Sequence, residues 1–467
     1  MVMEEGLQHL AEGLGVPTDQ VKLVICMMLA VVLGWVHWRI VRGEVLRHLF
    51  ALIVGLSLAL FQYGTIGLFG FAVTSVGTYL MLFLLPRERV AFPVFLFCFS
   101  YLSYVHIYRM YYDWMGWSQD YSTMQMVLTC KLTALAYNYQ DGAVLVRRKK
   151  EEEPLSATEL EQEKYAVAKM PSLLEYYSYL AFFGSFLVGP VFEYTDYIRF
   201  IKREKEFVFI PTPVARSLQL MLQSILCICG FLFLFRYFHY AHIRESDWGL
   251  HPYWYRILYL NFAMIGCKLR YYTGFKFGEA GNVASGFGYQ GIKKDGSVDW
   301  DRARGVHIRL SEFAATTKQT IDNWNISVSL WLRRYIYSRL AGRESSRLLK
   351  SFAQHLTMIV SAFWHGFYPS YYVTFFAFSL LTEVSKMGYQ SDFSRLPGRP
   401  VLKFIARLWM YTTENLNGIV FAQLGLGETL AVLNNIYWGP YLVLVAVWVF
   451  FKVTGFHRKS RDKPHRT

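Results

Sequence analysis

Acidic residues are the minority charge in this chain: 34 Asp and Glu stand against 48 Lys and Arg in 467 residues, a formal net charge of +14. An excess of that size would suit a nucleic-acid binder, yet no basic stripe interleaves with aromatics on a soluble fold. The cations sit in short blocks between apolar runs, which excludes nucleic acid as the partner and points to loops beside anionic lipid headgroups. Cysteine is also thin. All six residues (Cys26, Cys98, Cys130, Cys227, Cys229, Cys267) lie in or beside apolar runs and read as buried thiols. No His, Cys or carboxylate cluster has ligand spacing, so no metal and no cofactor is implied. Glu4 and Glu5 stand where a cleavable signal would be positive, so none is expected.

Apolar sequence dominates what remains. Hydrophobic residues make up 54% and aromatics 18%, and stretches long enough to cross a hydrocarbon core, about 20 residues each, recur along nearly the whole chain. Candidate spans are 21–37, 46–63, 65–85, 90–109, 121–137, 213–238, 252–272, 350–367, 371–386, 402–425 and 434–453. The fold class expected is an all-α polytopic membrane protein of about 11 transmembrane helices with added re-entrant or amphipathic helices. One unit, 1–467, is expected to hold them, with a short N-terminal segment at 1–20, whose Thr18 or Asp19 caps the first span.

Basic blocks at 38–45, 86–89 and 147–150 fall on one side if the spans alternate, which places the amino terminus in the lumen. The basic stretch 198–206 stays cytosolic only if 172–190, "SLLEYYSYLAFFGSFLVGP", dips in and returns. Its Glu175, Gly184, Gly189 and Pro190 suit broken backbone enclosed by protein. The same count makes the basic tail at 454–467 cytosolic. Residues 151–164 read as a charged, partly helical loop. Residues 273–320 are too polar to span and too aromatic for a disordered linker, which fits a segment lining a cytosolic entrance within 273–340.

Two polar residues stand out in apolar surroundings. "DNWNISVSLWLRRYIYSRL", 322–340, reads as one helix with Trp324, Val328, Trp331 and Tyr335 on a shared face and Asn325 beside it. Helix-to-helix hydrogen bonding is the bland role for such an amide. Forty residues on, His365 interrupts "SAFWHGFYPSYY" with Ser361 and Ala362 one turn earlier on its face. Ionisable groups in membrane spans default to function, although a carbonyl-bonded histidine is the alternative, and position alone does not choose among His365, His355 and His106.

The paired stretches "DNWNISVSLWLRRYIYSR" and "SAFWHGFYPSYYVTF" resemble the signature of the membrane-bound O-acyltransferase (MBOAT) family, an intramembrane His with an upstream Asn or Asp, matched here by His365 and Asn325. "MPSLLEYYSYLAFFGSFLVGPVFEYTDY", "EAGNVASGFGYQG" and "WDRARGVHI" resemble its lysophospholipid acyltransferase branch. The resemblance implies a helical bundle enclosing an intramembrane reaction chamber, with His365 as general base and Asn325 as oxyanion donor. It further implies acyl-CoA as co-substrate and a lysophospholipid bearing ethanolamine, choline or serine as acceptor, in phospholipid remodelling at the endoplasmic reticulum membrane. Lysophosphatidylinositol or a protein is the alternative acceptor, and homo-oligomerisation is left open. Trp324 and Trp364 are substrate-binding candidates. Arg333, Arg334 and Arg339 with Lys293 and Lys294 are candidates for CoA phosphates, and Glu279, Gly286 and Gly288 for the entrance; membrane-surface arginines and simple glycine turns are the bland readings.

Two rivals are weaker. His242 and Asp247 satisfy the H-x-x-x-x-D spacing of soluble glycerolipid acyltransferases, but in a short loop expected to be lumenal. A transporter would show inverted repeats and paired broken helices, which are not seen.

Overall fold

A computed structural model describes residues 2–150, 154–342, 345–391 and 399–456; the expected basic tail lies mostly outside them. The described chain is predominantly helical, and its strands form one antiparallel ribbon pairing Gly291–Ile292 with Val298–Asp299. It divides into two compact units. The first comprises Met1–Ile225, Thr273–Gly305 and Asn325–Ser351, and the second Leu226–Tyr272, Val306–Trp324 and Phe352–Thr467.

Helices occupy the predicted spans, often overrunning them. Thr18–Arg39, Glu44–Leu84, Ala91–Tyr112 and the helix opening at Val214 are long and apolar enough to cross a membrane, and Leu426–Asn435 with Gly439–Thr454 makes a further span if that pair, bent by 84°, is counted as one. The expected count of about 11 is therefore not reached by length and apolarity alone. Ser122–Lys150, Tyr253–Ala284, Pro369–Gln390 and Arg399–Gln423 are also long helices at predicted places, but they carry more polar side chains. Ile53, Leu60, Ile66, Phe69 and Phe83 project outward along one helix, a surface suited to lipid and costly in water. The protein is a multi-pass helical membrane protein.

Within the first unit, the expected break between spans 46–63 and 65–85 is a kink, not a loop. One helix, Glu44–Leu84, runs through with Gly64 at φ 65° and ψ −163°, backbone that only glycine adopts readily. The turn before the first span also differs from expectation. Neither Thr18 nor Asp19 caps it: Pro17 precedes the helix, and Asp19 accepts a hydrogen bond from the Gln119 amide.

Residues 172–190 form a helix of eight residues, Leu173–Leu180, followed by irregular turns. At 1.5 Å per residue it is about 12 Å long, well short of a hydrocarbon core. Its start is a capping box: Ser172 Oγ accepts from the Glu175 amide at 3.3 Å, and the Glu175 carboxylate accepts from the Ser172 amide at 3.0 Å. Its end is held by Lys131. That ammonium, fully buried, donates to the carbonyls of Tyr179 and Leu180 at 3.0 and 3.3 Å and to Ser185 Oγ at 3.0 Å, over the Phe192 ring at 4.4 Å. A cation at a helix carboxyl end offsets both the dipole and the orphaned carbonyls. Gly55 lets this segment approach, because a Cβ there would sit 1.6 Å from the Ala181 carbonyl oxygen. Broken backbone enclosed by protein is what the sequence predicts here.

Candidate functional site

The helix predicted over 322–340 is not continuous. Thr317–Asn323 is helical, Trp324 is extended, Asn325 is left-handed at φ 42° and ψ 55°, and a new helix begins at Ile326. Asparagine tolerates this conformation better than most residues. In the first unit the Ile326 amide donates to the Gly305 carbonyl at 2.8 Å, and Ser327 Oγ accepts from the Val191 amide at 3.0 Å, fixing the backbone on the far side of Asn325. Val328, Trp331 and Tyr335 keep the buried face expected of them, while Trp324 leaves it. In the second unit Trp324 packs against Tyr271 and Tyr272, at ring distances of 5.8 and 5.4 Å.

Residues 332–337 wind as a π-helix, a wide turn that re-aims side chains at a local cost. There Tyr335 donates to Glu193 Oε2 at 2.7 Å, and Arg334 spreads its guanidinium over Glu193 at 3.0 Å, Glu161 at 3.2 Å and the Tyr165 hydroxyl at 2.9 Å. Burial pushes the Glu193 carboxyl above the ordinary carboxylate range, and Arg334, Tyr335 and Asn138 pull part of that back. Arg339 binds Asp141 through both nitrogens, at 2.7 and 2.5 Å. Arg334 and Arg339 are thus already neutralised by carboxylates, whereas Arg333 is 58% exposed beside Glu161 at 3.6 Å.

Glu279 and Gly286 have local structural roles in the first unit. Buried Glu279 pairs with Lys276 at 2.7 Å and accepts the Gly305 amide at 2.9 Å, clasping 285–305 back onto its own helix. That helix runs on to Ala284, past the expected end at 272, and Gly286 at φ 88° follows its stop. Lys293 lies within 3.9 Å of Asp299 and Asp301.

His365 is the last residue of the helix Arg347–His365, with Gly366 at φ 124° turning the chain toward Pro369–Gln390. Its imidazole lies among rings of the second unit: parallel to Phe375 at 5.4 Å, edge-on to Phe421 at 5.0 Å and to Trp364 at 4.7 Å, and tilted to Tyr371 at 5.8 Å. Ser361 and Ala362, one turn back, are buried. An imidazole partly shielded from water and placed at a helix end is suited to taking a proton. His355 is committed to Ser379 Oγ at 2.8 Å. Asn325 belongs to the first unit and His365 to the second.

The rival motif does not assemble. His242 pairs with Glu245 at 3.0 Å on the surface, and Asp247 accepts its neighbouring Trp248 amide at 2.9 Å. Lys131, Glu193 and Glu414 are among the buried ionisable residues that the sequence reading does not single out. Lys131 and Glu414 fall inside predicted spans and Glu193 just beyond the broken segment; the signal was there for the first two, a charge within an apolar run, with "ENLN" at 414–417 the plainest case.

Comparison with known proteins places the chain in a family. The model of the membrane-bound O-acyltransferase family matches residues 79–423, a stretch that includes both Asn325 and His365. Membrane-bound glycerophospholipid O-acyltransferase 2 of Rattus norvegicus is 31% identical over 98% of this chain and 89% of its own length. The Homo sapiens protein of that name is 29% identical over 97% and 89%. Lysophospholipid acyltransferase 1 of Arabidopsis thaliana is 28% identical over 98% and 99%. With the matched stretch covering most of the chain, this protein belongs to the membrane-bound O-acyltransferase family.

Proposed function

We propose that this acyltransferase moves a fatty acyl group from acyl-CoA to the free sn-2 hydroxyl of a lysophospholipid carrying ethanolamine, choline or serine, in phospholipid remodelling at the endoplasmic reticulum membrane. The observation that carries the reading is similarity over nearly the whole chain to proteins named as lysophospholipid or glycerophospholipid acyltransferases. His365 is the general base: its imidazole takes the acceptor's proton as the oxygen attacks the thioester carbonyl. Asn325 supplies the donor for the oxyanion, an uncharged amide that avoids the desolvation cost of a buried cation. Collapse of the tetrahedral intermediate forms the ester, breaks the carbon–sulfur bond and returns the proton to the departing thiolate. No acyl-enzyme and no cofactor is needed.

Arg333, with Lys293 and Lys294, is the better candidate for CoA phosphates, since these are exposed and their carboxylate contacts are loose, whereas Arg334 and Arg339 are largely buried and held by carboxylates at close range. The carboxyl terminus faces the cytosol, where acyl-CoA is supplied. The test is a panel of lysophospholipids offered to purified protein with one saturated and one polyunsaturated acyl-CoA. Transfer to a zwitterionic lysophospholipid supports the reading. Transfer only to lysophosphatidylinositol or to a peptide moves it to another acceptor, and no thioester consumption removes it.

A further inference from the structure

Within the second unit, the helix Arg399–Gln423 places Glu414, Asn417 and Phe421 at intervals of three and four residues, so they share one face. Phe421 is the ring edge-on to His365. Glu414 is 8% exposed and Asn417 is fully buried, and each presents one polar atom that no hydrogen bond satisfies: the acceptor Oε1 of Glu414 and the donor Nδ2 of Asn417. Their other atoms are used, with Glu414 Oε2 accepting the Thr320 hydroxyl at 3.0 Å and Asn417 Oδ1 accepting the Tyr441 hydroxyl at 2.5 Å. Thr317 adjoins the Glu414 carboxyl without completing a hydrogen bond to Oε1.

Charge is unbalanced at the same place. The charges that bear most on Glu414 among the described residues are Lys268 and Glu312, and Lys268 is committed to Glu312 at 3.0 Å. Glu312 also accepts the hydroxyls of Tyr411, at 3.0 Å, and Tyr272. One ammonium therefore faces two carboxylates, and the orphaned oxygen belongs to the carboxylate that it does not reach. Buried ionisable groups in membrane helices call for a partner of opposite charge.

The order of the two orphaned atoms along the helix matches a lipid. At 1.5 Å per residue, Asn417 stands about 4.5 Å from Glu414 along the axis and Phe421 about 6 Å further on. A zwitterionic lysophospholipid presents a cationic nitrogen, then a phosphate, then a glycerol hydroxyl, in the sequence acceptor, donor, base that Glu414, Asn417 and His365 offer.

We infer that Glu414 Oε1 receives the cationic nitrogen of the acceptor's headgroup and Asn417 Nδ2 donates to its phosphate, which directs the free hydroxyl toward His365. The inference rests on the lysophospholipid reading above and narrows it: acceptors with a positively charged nitrogen are preferred, and the serine headgroup, with its extra carboxylate, ranks below ethanolamine and choline.

The experiment compares lysophosphatidylethanolamine, its N-acetylated form and lysophosphatidylglycerol, all with one acyl chain, on wild type and on Glu414→Gln and Asn417→Leu. Wild type is expected to favour lysophosphatidylethanolamine over both uncharged-headgroup acceptors by about 10-fold or more in kcat/KM, because the loss of a charge partner from a desolvated pair is costly. Glu414→Gln collapses that ratio to within about threefold, mainly through KM, and Asn417→Leu raises KM for all three alike. Equal use of the three acceptors by wild type overturns the inference even if the variants do not fold. An undiminished ratio in folded Glu414→Gln overturns it as well, in each case with the acyltransferase reading intact; a wild type active on no lysophospholipid removes both.

Discussion

Replacing Asn325 by alanine removes an amide and also places a β-carbon in a left-handed backbone, so the two effects must be separated. The structure supplies the means, since φ is 42° and the following amide is anchored to Gly305 at 2.8 Å. An alanine in this conformation costs about 1–2 kcal/mol of strain, which glycine does not incur. Loss of one oxyanion donor lowers turnover by about 100-fold or more, close to 2.7 kcal/mol at 25 °C. Asn325→Ala and Asn325→Gly are therefore expected to lose kcat by about 100-fold alike, with the KM for acyl-CoA little changed, while only the alanine variant loses thermal stability. Asn325→Asp tolerates the same backbone and still fails to restore turnover, because an ionised carboxylate repels the oxyanion. The assay is initial-rate acyl transfer in detergent or nanodiscs, paired with a thermal unfolding scan. If Asn325→Gly retains more than about one-tenth of wild-type kcat, the residue serves the backbone break and the oxyanion role is refuted.

Three further outcomes follow from particular contacts. Lys131→Met strands the carbonyls of Tyr179 and Leu180 and is expected to destabilise by about 3 kcal/mol or more, read as a lowered unfolding midpoint; an unchanged midpoint would mean that the ammonium is dispensable. Arg334→Ala breaks a buried pair with Glu193 and should cost stability, about 3 kcal/mol, whereas Arg333→Ala should leave the midpoint unchanged and raise the KM for acyl-CoA; the reverse pattern would exchange their roles. A tag at the carboxyl terminus should be accessible after selective permeabilisation of the plasma membrane and one at the amino terminus should not, and finding both on one side would show that 172–190 crosses fully.

Much of this was legible in the sequence for physical reasons. Apolar runs of membrane length located the helices, although the two spans expected at 46–63 and 65–85 are one helix kinked at Gly64. The enclosed segment after Ser172 was readable from glycine, proline and a lone glutamate in an apolar run. What was not legible depended on distant partners. The helix expected through Asn325 breaks because the backbone at 326 pairs with Gly305, a contact no local periodicity encodes. Likewise Arg334 and Arg339 look like surface cations in sequence and are clamped by Glu193 and Asp141, more than a hundred residues away. Glu414 and Asn417 sit in a run whose length and apolarity signal a span, while their unsatisfied atoms depend on distant packing that the run does not encode.

His365 as the base for acyl transfer to a lysophospholipid is put to the test by single-turnover transfer from labelled acyl-CoA to lysophosphatidylethanolamine by wild type and His365→Ala. His242→Ala, altered at an exposed residue paired only with Glu245, is the control. The account predicts product from wild type and the control and at least a 100-fold loss in His365→Ala with its unfolding midpoint retained, the scale typical of general-base catalysis. Product from folded His365→Ala at more than about one-hundredth of the wild-type rate, or a dead His242→Ala, would contradict it.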